Sequence, residues 1–216
     1  MPVIHLVRHG QASFGSDDYD VLSATGEEQA ALAGKELVRR GVRTPLFGSG
    51  TLTRQRDTAT IVAGEFGTAA PELIIDSRWD EFDAHALVAR SLGIPEIPHE
   101  MTSAEFQVHL DKAFIAWIEG TDGSWAHFSD GVIGALADFA AQVPKGSDGV
   151  VATSAGVTAA VVARLLRSDA LGVITLNKVS INASITTVLS GASGLTLLTF
   201  NDHAHVLGHE GMLTTR

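Results

Sequence analysis

Arg8-His9-Gly10 stands directly behind the apolar run Val3 to Val7, so an imidazole and a guanidinium meet where a buried strand would deliver a loop. In open α/β sheets ligands bind beyond the carboxyl ends of the strands, and polar residues that follow expected strands can therefore share one site. Four such places occur: Arg8-His9-Gly10, Ser49 to Arg56, Trp79 to Phe82, and Thr153 to Gly156. Phosphoryl transfer needs a nucleophile in line with the leaving oxygen and cationic donors around the equatorial oxygens. Imidazole and guanidinium supply these, and Arg8, His9 and Arg54 fit the need. Taken alone, a histidine beside an arginine reads first as a satisfied structural pair; its place after the first strand is what favours chemistry.

The elements that would position these groups are legible along the chain. Thr25-Gly26-Glu27-Glu28 has capping-box spacing and opens an alanine- and leucine-rich helix that ends near Gly41. Pro45 to Gly48 reads as a short strand, Leu52 to Phe66 as a helix and Leu73-Ile74-Ile75 as a strand. Val150-Val151-Ala152, then Gly156 and an apolar helix to about Leu166, repeat the strand, loop, helix pattern of a parallel sheet. Ser184 to Leu189 and Leu195 to Phe200 flank Gly191-Ala192-Ser193-Gly194 as a hairpin with a turn of four residues or a little more. Between these, Thr102-Ser103-Ala104-Glu105 is a second capping box. Phe106, Leu110, Ala113, Phe114 and Trp117 follow it at helical intervals, an aromatic stripe that reads as core. A further helix runs from about Ser129 to Val143, before Pro144. Residues 82–148 thus read as a mostly helical insertion capping one rim of the sheet.

The chain has 216 residues, 45% of them hydrophobic and 19% charged, enough for one sizeable core, and one domain is expected over residues 1–216. A formal net charge of -10 repels nucleic acid and anionic lipid, so neither is the expected partner. An anionic small molecule stays compatible, because a few arginines in a concave site dominate the local potential. The absence of cysteine removes disulfides, thiolate metal sites and cysteine nucleophiles together. No leader-like or membrane-length apolar segment is evident, and the expected location is cytoplasmic.

Leu6-Val7-Arg8-His9-Gly10 resembles the signature of the histidine phosphatase, or phosphoglycerate mutase-like, superfamily. Leu22-Ser23-Ala24-Thr25-Gly26-Glu27-Glu28-Gln29-Ala30 is similar to the family's segment entering its first helix. Ser49-Gly50-Thr51-Leu52-Thr53-Arg54-Gln55-Arg56-Asp57-Thr58-Ala59 matches its serine, leucine, arginine, threonine-alanine spacing. Arg78-Trp79-Asp80-Glu81-Phe82 resembles the segment carrying the family's acid, with Glu81 in that position and Asp80 and Asp83 close enough to confuse it. Asn182-Ala183-Ser184-Ile185-Thr186 and Phe200-Asn201-Asp202-His203-Ala204-His205-Val206 are similar to the closing hairpin of the phosphatase-like members.

One position departs from the pattern. Where the family carries a second histidine followed by glycine, this chain reads Thr153-Ser154-Ala155-Gly156, and Ser154 takes the histidine's place. A hydroxyl donates one hydrogen bond, carries no charge and reaches less far. His203 and His205 are auxiliary candidates to replace it, against a reading in which they pack in a terminal loop. Together with His209 they make a poor metal cluster, since loop spacing offers no orienting partners. His85, His99, His109 and His127 fall in the insertion without a constellation, and Arg56 reads as part of a solvated helix face.

The resemblance implies a three-layer α/β/α sandwich with a mainly parallel sheet, one antiparallel edge strand from the closing hairpin and a helical cap. It implies hydrolysis of a small phosphate monoester through a phosphohistidine, without cofactor or metal. His9 would attack phosphorus, Arg8, Arg54 and Ser154 would hold the oxygens, and Glu81 would act as acid and then base. The rival reading is a phosphate-ester binding or regulatory protein with little turnover; a mutase-type phosphotransferase has no specific support. Assembly as a homodimer stays open.

Overall fold

The computed structural model describes residues 1–13, 20–68 and 71–215. Within them the strands are β1 (Val3–Arg8), β2 (Leu46–Ser49), β3 (Leu73–Ile75), β4 (Gly149–Thr153), β5 (Ile185–Gly191) and β6 (Gly194–Asp202). The helices are α1 (Ala24–Arg39), α2 (Thr53–Gly64), α3 (Ala84–Leu92), α4 (Ser103–Glu119), α5 (Ser124–Gln142), α6 (Ala155–Leu166) and α7 (Ala170–Val179), with 3-10 turns at Ser77–Trp79 and Ala204–Val206.

The six strands form one sheet in the order β3-β2-β4-β1-β5-β6. β3, β2, β4 and β1 run parallel, while β5 pairs antiparallel with both β1 and β6. The α/β sandwich expected from the sequence is present, and the antiparallel part is a hairpin pair rather than a single edge strand. Gly191 pairs with Gly194, so the hairpin turn holds two residues, Ala192 and Ser193, and is tighter than expected. Gly194, directly after the turn, is at φ 102, a positive-φ conformation that glycine adopts without steric cost.

Strand alternation divides the core between the two faces. Ile4, Leu6 and Val151 point to one side, against Val132, Leu136 and Phe139 of α5 and Val157 and Val161 of α6. Val7, Phe47 and Val150 point to the other, against Ala33 and Leu37 of α1 and Val62 and Ala63 of α2. α6 is buried at every position from Ala155 to Ala163 because α3, α4 and α7 pack on its outer side. This is why its sequence is apolar all round rather than on one stripe. Residues 82–148 are mainly helical, as expected, but α5 belongs to the layer on the sheet. Only α3, α4 and their connections reach the rim.

At the start of α1 the cap is Ser23, not Thr25: its hydroxyl accepts from Gly26 N at 3.0 Å. The choice is tertiary, because Ser23 also donates its hydroxyl to Gln11 Oε1 and its backbone N–H to Gln11 O, at 2.9 Å each. The Thr102–Glu105 capping box forms as the spacing predicts. Among the described residues, no helix is long and apolar enough to cross a membrane.

Candidate active site

β1, β4 and β2 lie side by side in parallel, so Arg8, Thr153 and Ser49 end on one rim. His9 follows, its backbone N–H donating to Thr153 O at 2.8 Å, and is buried at 6% exposure. Asn182 Nδ2 and Ala183 N both donate to His9 O, at 3.2 and 3.3 Å. Gly10 N donates to Thr58 Oγ1 at 3.1 Å, whose hydroxyl in turn donates to Arg54 O at 2.7 Å. A Cβ on Gly10 would stand 2.1 Å from Gly26 O, and one on Gly26 would stand 2.1 Å from Gln11 O. Two glycines let the loop press backbone to backbone on the start of α1, which is what fixes the histidine's approach.

The imidazole's protonation follows from its partners. A carbonyl oxygen only accepts, so His9 Nδ1, 2.7 Å from Gly10 O, carries the proton. Nε2 is then the unprotonated nitrogen, and it accepts from Arg54 Nε at 3.3 Å. Burial, with the charges of Arg8 and Arg54 beside it, holds the His9 pKa well below the ordinary imidazole value; the Gly10 carbonyl opposes them. The ring is neutral, with an unprotonated Nε2, in an electropositive setting.

Arg54 and Arg8 are both clamped. Arg54 Nη1 donates to Asp20 Oδ1 at 2.6 Å, and Asp20 Oδ2 accepts from Thr53 N at 2.8 Å, so one carboxylate caps α2 and aims the guanidinium. Arg8 donates through Nη1 to Ser180 O at 2.5 Å and through Nη2 to Thr215 O at 2.8 Å. The carboxyl-terminal segment holding Arg8 is itself tied down, since Gln29 Nε2 donates to Met212 O and Thr214 Oγ1 at 2.8 Å each.

Glu81 lies beyond β3, past the Ser77–Trp79 turn. Its Oε2 accepts from Gly156 N, in the first turn of α6, at 3.0 Å, and its Oε1 accepts from Phe82 N at 3.2 Å. Burial raises its pKa above the usual carboxyl value, while the Gly156 hydrogen bond and the charges of Arg8 and Arg54 pull the other way. The neighbouring acids have structural work: Asp80 accepts from Thr51 N and Oγ1 at 2.6 Å, and Asp83 caps α3 by accepting from Ala86 N at 2.9 Å.

Arg8, His9, Arg54 and Glu81 share the wall of one cavity of about 1150 Å³, roofed by α3, α4 and the segment between them. Ser154, expected to hold a phosphate oxygen, does not line it. The side chain is fully buried, and its hydroxyl accepts from Gln55 Nε2 at 2.8 Å, the same amide that donates to Trp79 O at 2.9 Å. Glu81 sits over the first turn of α6, held there by the hydrogen bond from Gly156 N. His203 and His205 also stay out. His203 Nδ1 lies 2.6 Å from Asn201 O and His205 Nε2 3.0 Å from Ala183 O, so each ring is engaged by the main chain of the closing hairpin. Arg56 is exposed, as a solvated face would have it. Among the described residues, no three metal-ligating side chains converge.

Sequence reasoning missed Asp20, Gln55, Thr58 and the role of Asn182. Asp20 carried no motif; the other three stand inside quoted segments, where type and spacing do not reveal partners.

The model of the histidine phosphatase superfamily (branch 1) matches residues 4–203. No curated protein sequence matches the chain. Among solved structures, a phosphoserine phosphatase mutant from Entamoeba histolytica in complex with phosphoserine is 20% identical with TM-score 0.69, over 96% of this chain and 100% of that one. The Bacillus stearothermophilus protein YhfR is 18% identical with TM-score 0.71, over 95% of this chain and 100% of its own. A mycobacterial glucosyl-3-phosphoglycerate phosphatase is 23% identical with TM-score 0.66, over 94% of this chain and 99% of its own. These likenesses carry the fold, the match over residues 4–203 carries the family, and the chain belongs to branch 1 of the histidine phosphatase superfamily.

Proposed function

We propose that this protein is a phosphatase that hydrolyses a small phosphate monoester through a phosphohistidine at His9, without a metal cofactor. The observation that carries the reading is the His9 tautomer: Nδ1–H is committed to Gly10 O, and the Nε2 lone pair sits under Arg54 in the cavity wall. In the first step Nε2 forms a bond to phosphorus as the ester P–O bond breaks, and Glu81 gives its proton to the departing alkoxide. In the second, Glu81 takes a proton from water, whose oxygen attacks phosphorus as the Nε2–P bond breaks, releasing inorganic phosphate and leaving His9 neutral. Arg8 and Arg54 hold the phosphoryl oxygens throughout.

On the resemblance, a serine at 154 in place of a histidine leaves the site one cation short of the family pattern, and this supports the second reading, a phosphate-ester binding protein with little turnover. One experiment separates the two. Rapid quenching during turnover of a labelled aryl phosphate should trap an acid-labile, alkali-stable label on His9, lost in His9→Ala. Stoichiometric binding with no label and no product would favour the binding protein, and an acid-stable label on a serine would overturn both.

A further inference from the structure

The far end of the cavity has a composition that a second anion on the substrate would not find favourable. Beyond the phosphate end its wall is built from Phe82, Ile97, Met101, Phe106 and Leu110. Arg8 and Arg54, both at the phosphate end, are the only lysine or arginine side chains among the described residues that line it. Asp83 and Glu96 line the outer part, and the remaining cation-capable groups there are the imidazoles of His85 and His99. His85 is part of the aromatic wall, its ring centroid 4.8 Å from that of Phe106 at an interplanar angle of 34°.

The apolar wall is also pre-organised. Phe82 stands next to Glu81 and packs on Phe114 at 4.8 Å and on Trp117 at 5.4 Å between ring centroids. The aromatic edge nearest the acid is therefore held by the core of the cap rather than by the ligand, and ordering it on binding costs little. At about 1150 Å³ the cavity is larger than a phosphate and a three-carbon acid require.

Building on the phosphatase reading, we infer that the substrate class is phosphate monoesters with an uncharged, apolar leaving group of aromatic or branched-chain size. Esters bearing a second phosphate or a carboxylate are disfavoured. A leaving group of this kind places apolar surface on Phe82, Phe106 and Leu110. A carboxylate in the same place would lose water, meet no fixed cation and feel Asp83 and Glu96.

The test compares kcat/KM for 1-naphthyl phosphate, phenyl phosphate, O-phosphoserine and 3-phosphoglycerate on the full chain. In parallel, calorimetry measures binding of naphthylmethylphosphonate and 3-phosphonopropionate, neither of which can be hydrolysed. Naphthyl phosphate should exceed both carboxylated esters by at least tenfold, and the naphthyl phosphonate should bind tighter by a similar factor. Phe106→Ala should cut the naphthyl-to-phenyl ratio about tenfold, and Ile97→Lys should narrow the gap to 3-phosphoglycerate. Equal or better use of phosphoserine or 3-phosphoglycerate, or equal binding of the two phosphonates, would overturn the inference and leave the phosphatase reading standing. No turnover of any ester, with the naphthyl phosphonate still preferred, would overturn the phosphatase reading and uphold the cavity's selectivity.

Discussion

The amide of Gln55 donates to the hydroxyl of Ser154 across 2.8 Å, joining α2 to the start of α6 in a fully buried contact. The two residues divide one space: the side chain at 154 is short where the one at 55 is long. An imidazole at 154 would occupy the position of the Gln55 amide.

Ser154→His alone should therefore lower the melting temperature, an overpacking cost of about 1–3 kcal/mol, and should not raise activity. In a Gln55→Ala background the ring has room, so the double variant should regain part of the lost melting temperature, while kcat/KM stays near that of Gln55→Ala because neither Gln55 nor Ser154 lines the cavity. Kinetics and thermal melts on the two single variants and the double variant check this. A Ser154→His protein that is both stable and faster would show that the pair does not compete for space.

Asp20 touches both Arg54 and the first N–H of α2. Asp20→Ala should lower kcat/KM about tenfold through a freer Arg54 guanidinium, with KM rising, and remove about 1 kcal/mol of stability through the lost cap. Asp20→Asn keeps an oxygen for the Thr53 cap and should recover the stability but only part of the rate. If both variants lose stability and rate in step, Asp20 acts on folding alone.

How much of this was readable beforehand depends on how local the signal is. The strand before His9 was legible because a short run, apolar except for His5 and ending at Arg8, reports a buried β-strand by itself. The Thr102 cap was legible because the box lies within one helical turn. The α1 cap was misplaced by two residues, since Gln11, from the loop after β1, selects Ser23 over Thr25. α7 was not foreseen: Ala170-Leu171-Gly172-Val173-Ile174 has no strong helical stripe, and the helix rests on packing against α6. Ser154 was placed on the right rim, but its hydroxyl is taken up by Gln55, which lies far away in the sequence.

His5, on β1, is buried with Nδ1 3.2 Å from Thr187 Oγ1, and burial lowers its pKa to about 4, with Asp148 opposing and Arg40 assisting. The folded state therefore binds fewer protons than the unfolded state between about 6.5 and 4. The associated stability is full above the unfolded value and is lost as pH falls through that window. Its size is about 3 kcal/mol. Urea melts at pH 7.5 and 4.5 should show a larger loss in wild type than in His5→Gln, which keeps a hydrogen-bonding group and does not titrate. Equal losses would mean that His5 does not control acid stability.

In the proposed mechanism the opposed shifts of His9 and Glu81 set the activity profile. His9 must be neutral to attack, and its pKa lies well below the ordinary 6.5, so the acid limb of kcat/KM falls below that value. Glu81 must be protonated to serve the leaving oxygen, and its pKa lies above the ordinary 4.5, so activity declines on the alkaline side as that proton is lost. The two conditions overlap at mildly acidic pH, where the optimum is expected. Glu81→Gln removes both the acid and the base. With an ordinary alkyl phosphate, kcat should fall by about 10² to 10⁴, the usual worth of a positioned proton donor. With p-nitrophenyl phosphate the leaving group needs no proton, so His9 should still be phosphorylated and only the attack of water should stall. Stopped-flow should then record a burst of one p-nitrophenolate per enzyme followed by slow release, with no alkaline limb in the burst rate. A Glu81→Gln enzyme that keeps the alkaline limb, or turns over steadily without a burst, would assign the proton to another group.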